Sequence, residues 1–174
     1  LDEWRTTSAE NPADIAVVQL GPWEVVDQQL ETDGEFLTIG EDPDLDAAIE
    51  DNLDLAIDAL LADNGMVVIL SPPDVEYGRS DGRSPDEAFP ESDPARMERF
   101  REMIEAVAAT DERVVVVDLA DWVRNHPDDG SLRPDGVHFT NDSAEEVAVW
   151  LGPTLVERYT ALTGRTESLV IEQS

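Results

Sequence analysis

Three short apolar runs constrain this chain more than any other feature. They are Ile15-Ala16-Val17-Val18-Gln19-Leu20, Met66-Val67-Val68-Ile69-Leu70, and Val114 to Val117 between Arg113 and Asp118. Each is rich in β-branched residues, and the first two stop at breakers, Gly21-Pro22 and Ser71-Pro72-Pro73. Each is nearly continuous in hydrophobicity rather than alternating, which is how a strand covered on both faces reads. Helical patterns separate the runs, and no hairpin signal joins them. Strand and helix in alternation predict an α/β fold of three layers (α/β/α), with a parallel sheet and right-handed crossovers.

The helices announce themselves by caps and spacing. Asp42-Pro43 opens the first, with an apolar stripe at Leu45, Ile49, Leu53, Ile57 and Leu60-Leu61, and Asn64-Gly65 closes it. Ser92-Asp93-Pro94 caps the second, with Met97, Phe100, Ile104 and Val107 on its inner side. Thr140 or Asn141 starts the last, which carries Val147, Leu151, Leu155 and Tyr159, and Gly152-Pro153 should kink it. Residues 1–11 read as a helix tail or linker, 12–163 as the domain, and 164–174 as a tail with no assignable role. Three long connections, after Leu20, Leu70 and Val117, leave strand carboxyl ends. In parallel sheets that edge is where sites form. The stretch from Asp74 to Asp93, rich in Gly, Pro, Ser and Asp, reads as either a lid or a surface loop. The stretch from Leu119 to Phe139 reads as a loop.

A chain of 174 residues is most simply one domain, able to bury roughly 70% of its unfolded surface. Cysteine is absent, so disulfides and thiolate metal sites are excluded. No segment reaches the ~20 apolar residues of a membrane-spanning helix. The charge is extreme: 41 acidic residues against 11 basic ones, all of them Arg, give a formal net charge of −30. Such a field repels phosphate backbones, so nucleic acid is not an expected partner. The acidity reads either as a surface adapted to high salt or as compositional drift in a genome that favours Arg over Lys.

The chemistry concentrates in Arg133-Pro134-Asp135-Gly136-Val137-His138-Phe139. An aspartate three residues before a histidine, in a turn held by Pro and Gly, can fix the imidazole tautomer and stabilise the imidazolium. The competing reading is a structural turn in which Asp135 caps backbone N–H groups. Trp23 and Glu24 follow the first strand, and are either substrate-side groups or a packing Trp with a solvated Glu. Ser71, Ser80, Ser84 and Ser92 are the serines near the site loops. Ser71 precedes Pro72-Pro73 with no helix N-terminus behind it, so all four read as loop residues. His126 reads as a surface residue, with a metal site shared with Asp128 and Asp129 as the lesser alternative.

In this order along the chain, the motifs resemble the SGNH hydrolase superfamily, the GDSL-type esterases. That family's last block is Asp-x-x-His between the final strand and the final helix, and Asp135-Gly136-Val137-His138 matches it in spacing and place. Its third block, Gly-x-Asn-Asp, maps onto Gly21-Pro22-Trp23-Glu24, with Trp23 in place of the oxyanion Asn and Glu24 in place of the Asp. The run from Val18 to Val25 is similar to the SGNH domains fused to bacterial membrane-bound acyltransferases. The resemblance spans residues from about 12 to 160 and implies a flavodoxin-like sheet. It also implies a Ser-His-Asp triad with His138 as base and Asp135 as its orienting partner. Gly21, Trp23 and Glu24 would lie on the oxyanion or substrate side, and no metal or cofactor would be needed.

The family's Gly-Asp-Ser block is missing from the 174 residues, and so is the glycine of its second block. The sheet is therefore expected to lack its first strand–helix–strand unit, with the nucleophile outside this chain. Little activity is expected of these residues alone. The resemblance implies acyl-ester hydrolysis or O-acyl transfer, with a small acyl ester or an O-acylated carbohydrate as substrate, on the cell-envelope side. The implied associates are an upstream segment or a membrane acyltransferase domain. The alternative is a non-catalytic acidic α/β module that binds a carbohydrate or a protein partner. A nucleotide-binding domain finds no Gly-rich phosphate loop to support it.

Overall fold

The computed structural model describes residues 2–61, 65–76 and 89–164. The element order is α1 (Asp2–Glu10), β1 (Ile15–Gln19), α2 (Pro43–Leu60), β2 (Met66–Leu70), α3 (Pro94–Ala108), β3 (Val114–Val117), α4 (Leu119–Arg124), α5 (Asp129–Leu132) and α6 (Asn141–Thr163). The three apolar runs form one parallel sheet in the order β1-β2-β3, with Ile15 opposite Met66 and Val67 opposite Val114. This is the α/β architecture expected of continuous apolar strands.

The period of two along the strands sorts the core into two layers. Val67 and Ile69 of β2 face one way, with Ala16, Val18, Val114 and Val116, and pack on Ile49, Leu53 and Ile57 of α2 and Phe100, Ile104 and Val107 of α3. Met66, Val68 and Leu70 face the other way, with Ile15, Val115 and Val117, and pack on Leu119 and Val123 of α4 and Leu151 and Tyr159 of α6. The central strand β2 is buried along its whole length. Tyr159 Oη closes the second layer at the amino end of β1, donating to Asp14 Oδ1 at 2.7 Å.

Asp42 stands at the N-terminus of α2, but its carboxylate accepts from Thr38 N at 2.7 Å and makes no cap bond; the caps of α3 and α6 sit where the sequence places them. Asp93 accepts from Ala95 N at 2.9 Å, and Thr140 Oγ1 accepts from Ser143 N at 3.1 Å. The helix α6 runs unbroken through Gly152-Pro153. Residues 2–10 are helical. Two features depart from expectation. The stretch after β3, read as a loop, holds α4 and α5. Asp118 caps α4 by accepting from Asp121 N at 2.9 Å, and Leu119, Ala120 and Val123 are buried. At six and four residues these helices are too short to show a helical period. Finally, the connection from Gly21 to Gly40 carries a 3₁₀ turn (Pro22–Glu24) and an antiparallel bridge between Gln28 and Leu37 where no strand pairing was expected. It is no plain surface loop, because Val25 and Ile39 enter the core.

Candidate active site

The turn bearing Asp135 and His138 follows α5 and precedes α6, at the carboxyl edge of the sheet. Asp135 organises it. Its Oδ1 accepts from Val137 N at 2.8 Å and from His138 N at 2.7 Å, and its Oδ2 lies 2.7 Å from His138 Nδ1. The side-chain bond to His138, then the two backbone N–H groups, hold the Asp135 carboxyl down at about 2. An ionised carboxylate only accepts, so the proton between the two groups resides on His138 Nδ1. In the neutral imidazole the lone pair is then on Nε2. The His138 side chain is 81% exposed, so Nε2 is accessible as a proton acceptor. The structural-turn reading and the acid–base reading thus coexist: the same carboxylate caps the turn and orients the ring.

Tight contacts fix this turn against the segment that leaves β2. Gly136 adopts φ +82, and a Cβ there would run into the Glu76 carbonyl. Glu76 N donates to Gly136 O at 3.0 Å and Gly136 N to Arg133 O at 2.8 Å. Arg133 is 4% exposed and its Nη1 donates to Asp74 O at 2.7 Å. On the α6 side, Ser143 Oγ donates to Leu132 O at 2.8 Å.

His138 faces a cleft of about 490 Å³ between the ends of β1 and β2. Its walls are largely apolar: Leu20, Pro22 and Trp23 from one side, Pro72, Pro73 and Val75 from another, Val137 and Phe139 from the turn itself. Gly21 and Trp23 therefore share one concavity with His138. The Trp23 side chain is turned outward and 77% exposed. Glu24 reaches back instead, and its Oε2 accepts from Gly21 N at 3.2 Å. Burial is the largest influence on Glu24 and pushes its carboxyl above the ordinary range, against the hydrogen bonds from its own and the Gly21 backbone. The Gly21 N–H is thus occupied by Glu24.

The other candidates lie elsewhere. Ser71, buried at the end of β2, donates to Asp118 Oδ1 at 2.7 Å and accepts from Ala120 N at 3.1 Å, tying β2 to the start of α4. Ser92 lies in a 3₁₀ turn ahead of α3. Ser80 and Ser84 fall outside the described residues. Among the described residues no hydroxyl group hydrogen-bonds His138 Nε2. His126 Nδ1 accepts from Asp128 N at 3.2 Å, and its Nε2 lies 3.3 Å from Glu146 Oε2. Its ring packs by Trp122, which stacks on Trp150 with centroids 5.4 Å apart. Arg133 was visible in the sequence only as a flanking residue, and its burial beneath the turn is a tertiary fact.

Comparison with solved structures finds a similar fold in the lipase/acylhydrolase from Enterococcus faecalis. The two match with a TM-score of 0.61 at 17% sequence identity, over 95% of this chain and 71% of that one. The likeness is one of fold, the one expected from the SGNH-type resemblance. No protein-family model and no curated protein matches the sequence.

Proposed function

We propose that this chain carries the histidine–aspartate part of an SGNH-type acyl-transfer site. The observation that carries the reading is the 2.7 Å contact between His138 Nδ1 and Asp135 Oδ2, with Nε2 left accessible at an apolar cleft beyond the strand ends. In this mechanism a serine, supplied by a segment outside these 174 residues, is deprotonated by His138 Nε2 as it attacks an acyl carbonyl. Asp135 stabilises the imidazolium that forms. His138 then returns the proton to the leaving oxygen and the acyl-serine forms. A second attack, by water or by a sugar hydroxyl, releases the acyl group. The fold shared with an acylhydrolase supports the class of chemistry. The resemblance around Gly21-Pro22-Trp23-Glu24 favours O-acyl transfer to a cell-envelope carbohydrate, in association with a membrane acyltransferase domain.

Trp23, exposed at the cleft, serves the substrate side, where its indole N–H can donate to an oxyanion or its ring can lie on a sugar or acyl chain. No cofactor enters the scheme. The test is hydrolysis of p-nitrophenyl acetate by the protein expressed from its complete gene. His138→Ala lowers turnover about 10³-fold or more on this reading, and undiminished turnover rejects it. A second reading, a non-catalytic binding module, is favoured by the lack of a hydroxyl partner for His138 Nε2 among the described residues. A complete gene with no serine block of its own supports that one.

A further inference from the structure

We propose that Arg133 is a positioning residue for the Asp135–His138 pair, acting through the Pro72–Glu76 segment that it holds beneath the turn. The inference builds on the acyl-transfer reading but rests on different contacts. The segment is anchored at its start by Ser71, whose N–H donates to Val117 O at 3.0 Å and whose hydroxyl donates to Asp118 at 2.7 Å. On its α3 side Arg101 Nη1 donates to Pro72 O at 3.0 Å and to Asp74 Oδ1 at 2.8 Å. On its turn side the buried Arg133 donates to Asp74 O at 2.7 Å. One position further, Glu76 N donates to Gly136 O at 3.0 Å, and Gly136 has no room for a side chain against the Glu76 carbonyl.

A guanidinium suits this task, because it stays charged and presents a rigid planar fork that costs little ordering per bond. Burying it under a two-bond connection fixes the height of the turn over the strand ends. Asp135 lies one residue before Gly136 and His138 two residues after it, so their side chains inherit the position of the turn. The same segment presents Pro72, Pro73 and Val75 to the cleft. The wall that a substrate touches and the turn that bears the base are therefore one unit.

Carboxyl titration of Asp135 by ¹³C NMR reads this directly in the 174-residue chain and needs neither serine nor substrate. Arg133 is not among the groups that lower Asp135, whose depression to about 2 comes first from the His138 side chain. A change on removing Arg133 therefore reports geometry. Arg133→Met is expected to move the Asp135 midpoint from about 2 toward its ordinary 3.8 and to broaden the His138 Nδ1–H signal. Arg133→Lys, which keeps a charge and one donor, is expected to restore part of the shift. Arg101→Met, acting from the far side of the segment, is expected to shift Asp135 in the same direction by less. Should Arg133→Met fail to fold, the Lys and Arg101 variants decide the matter. Folded variants that titrate like the parent overturn the proposal. In the complete protein, Arg133→Met is expected to lower kcat with KM little changed. A His138→Ala protein that still turns over esters would reject the acyl-transfer reading while leaving the titration result intact.

Discussion

Replacing Gly136 by Ala tests the geometry of the site turn with a single methyl group. Gly136 sits at φ +82, where a Cβ crowds the following carbonyl and costs about 1–2 kcal/mol. The added Cβ also meets the Glu76 backbone, with the Glu76 carbonyl carbon at 2.9 Å. Glu76 cannot retreat freely, because its N–H is bonded to Gly136 O at 3.0 Å. Overpacking of this kind costs about 1–3 kcal/mol, so with the backbone part the total is about 2–5 kcal/mol. Two internal controls separate the contributions. Gly164 also has a positive φ, +66, but no atom of the described residues lies within 4 Å of where its Cβ would be, so Gly164→Ala should cost only the backbone part, about 1–2 kcal/mol. Gly152 lies inside α6 with nothing within 4 Å, and Ala there should stabilise by up to about 1 kcal/mol. Urea denaturation with a common m-value gives all three differences. A Gly136→Ala cost no larger than that of Gly164→Ala would refute the claim that the turn is clamped on Glu76.

Asp135 supplies a second prediction. Its carboxyl is depressed from 3.8 to about 2, so its contribution to stability is fully present above the ordinary carboxylate range and is lost as pH falls through about 2. His138→Ala should raise that midpoint but leave it below 3.8, since the Val137 and His138 backbone N–H groups still donate. An unchanged ¹³C titration would contradict this. Glu24 carries the opposite sign: burial raises its pKa, so ionisation opposes folding and stability declines as pH rises through its folded value. Glu24→Gln should be neutral or stabilising near pH 7 in a thermal melt, because the amide oxygen can still accept from Gly21 N. Phe100, fully buried on the side of α3 that packs on the sheet, should cost about 3–5 kcal/mol as Ala, measured by denaturant midpoint. The outer edge of β1 offers a fifth test. Met66 N bonds Asp14 O, so alternate residues Ala16 and Val18 face β2, while the backbone groups of Ile15, Val17 and Gln19 point away from it. Such an edge should self-associate. Sedimentation in 1 M salt should show oligomers that Val17→Pro reduces, since that N–H serves no β2 bond; a clean monomer of the parent chain would count against an unprotected edge.

What the sequence disclosed and what it hid follow from range. The strands and the long helices were legible because each is specified by neighbours a few residues apart: the valine run of β3, the Asp42-Pro43 opening of α2, the Leu45–Ile57 stripe. The Asp135–His138 pair was legible for the same reason, its two members lying within one turn. The short helices α4 and α5 were not, because one or two turns present no period; tertiary burial marks them, of Leu119 and Val123 beside Leu151 and Tyr159 for α4 and of Leu132 for α5. Arg133 was opaque in another way. A lone arginine reads as a surface charge, and nothing in the sequence says that Asp74, 59 residues away, supplies the carbonyl that receives it. Glu24 likewise reads as a solvated acid until the Pro22–Glu24 turn folds it back onto the Gly21 N–H. Ser71, at a strand end, is a hydroxyl in a tempting place, and its bonds to Asp118 and Ala120 give it a structural task.

The central claim is that His138, oriented by Asp135, is the base of an acyl-transfer site. Its most direct test is the steady-state hydrolysis of p-nitrophenyl acetate by the protein from the complete gene, beside its His138→Ala variant, with folding verified for both. The account predicts measurable turnover in the parent and a loss of about 10³-fold or more in the variant. Equal turnover in the two proteins would contradict it.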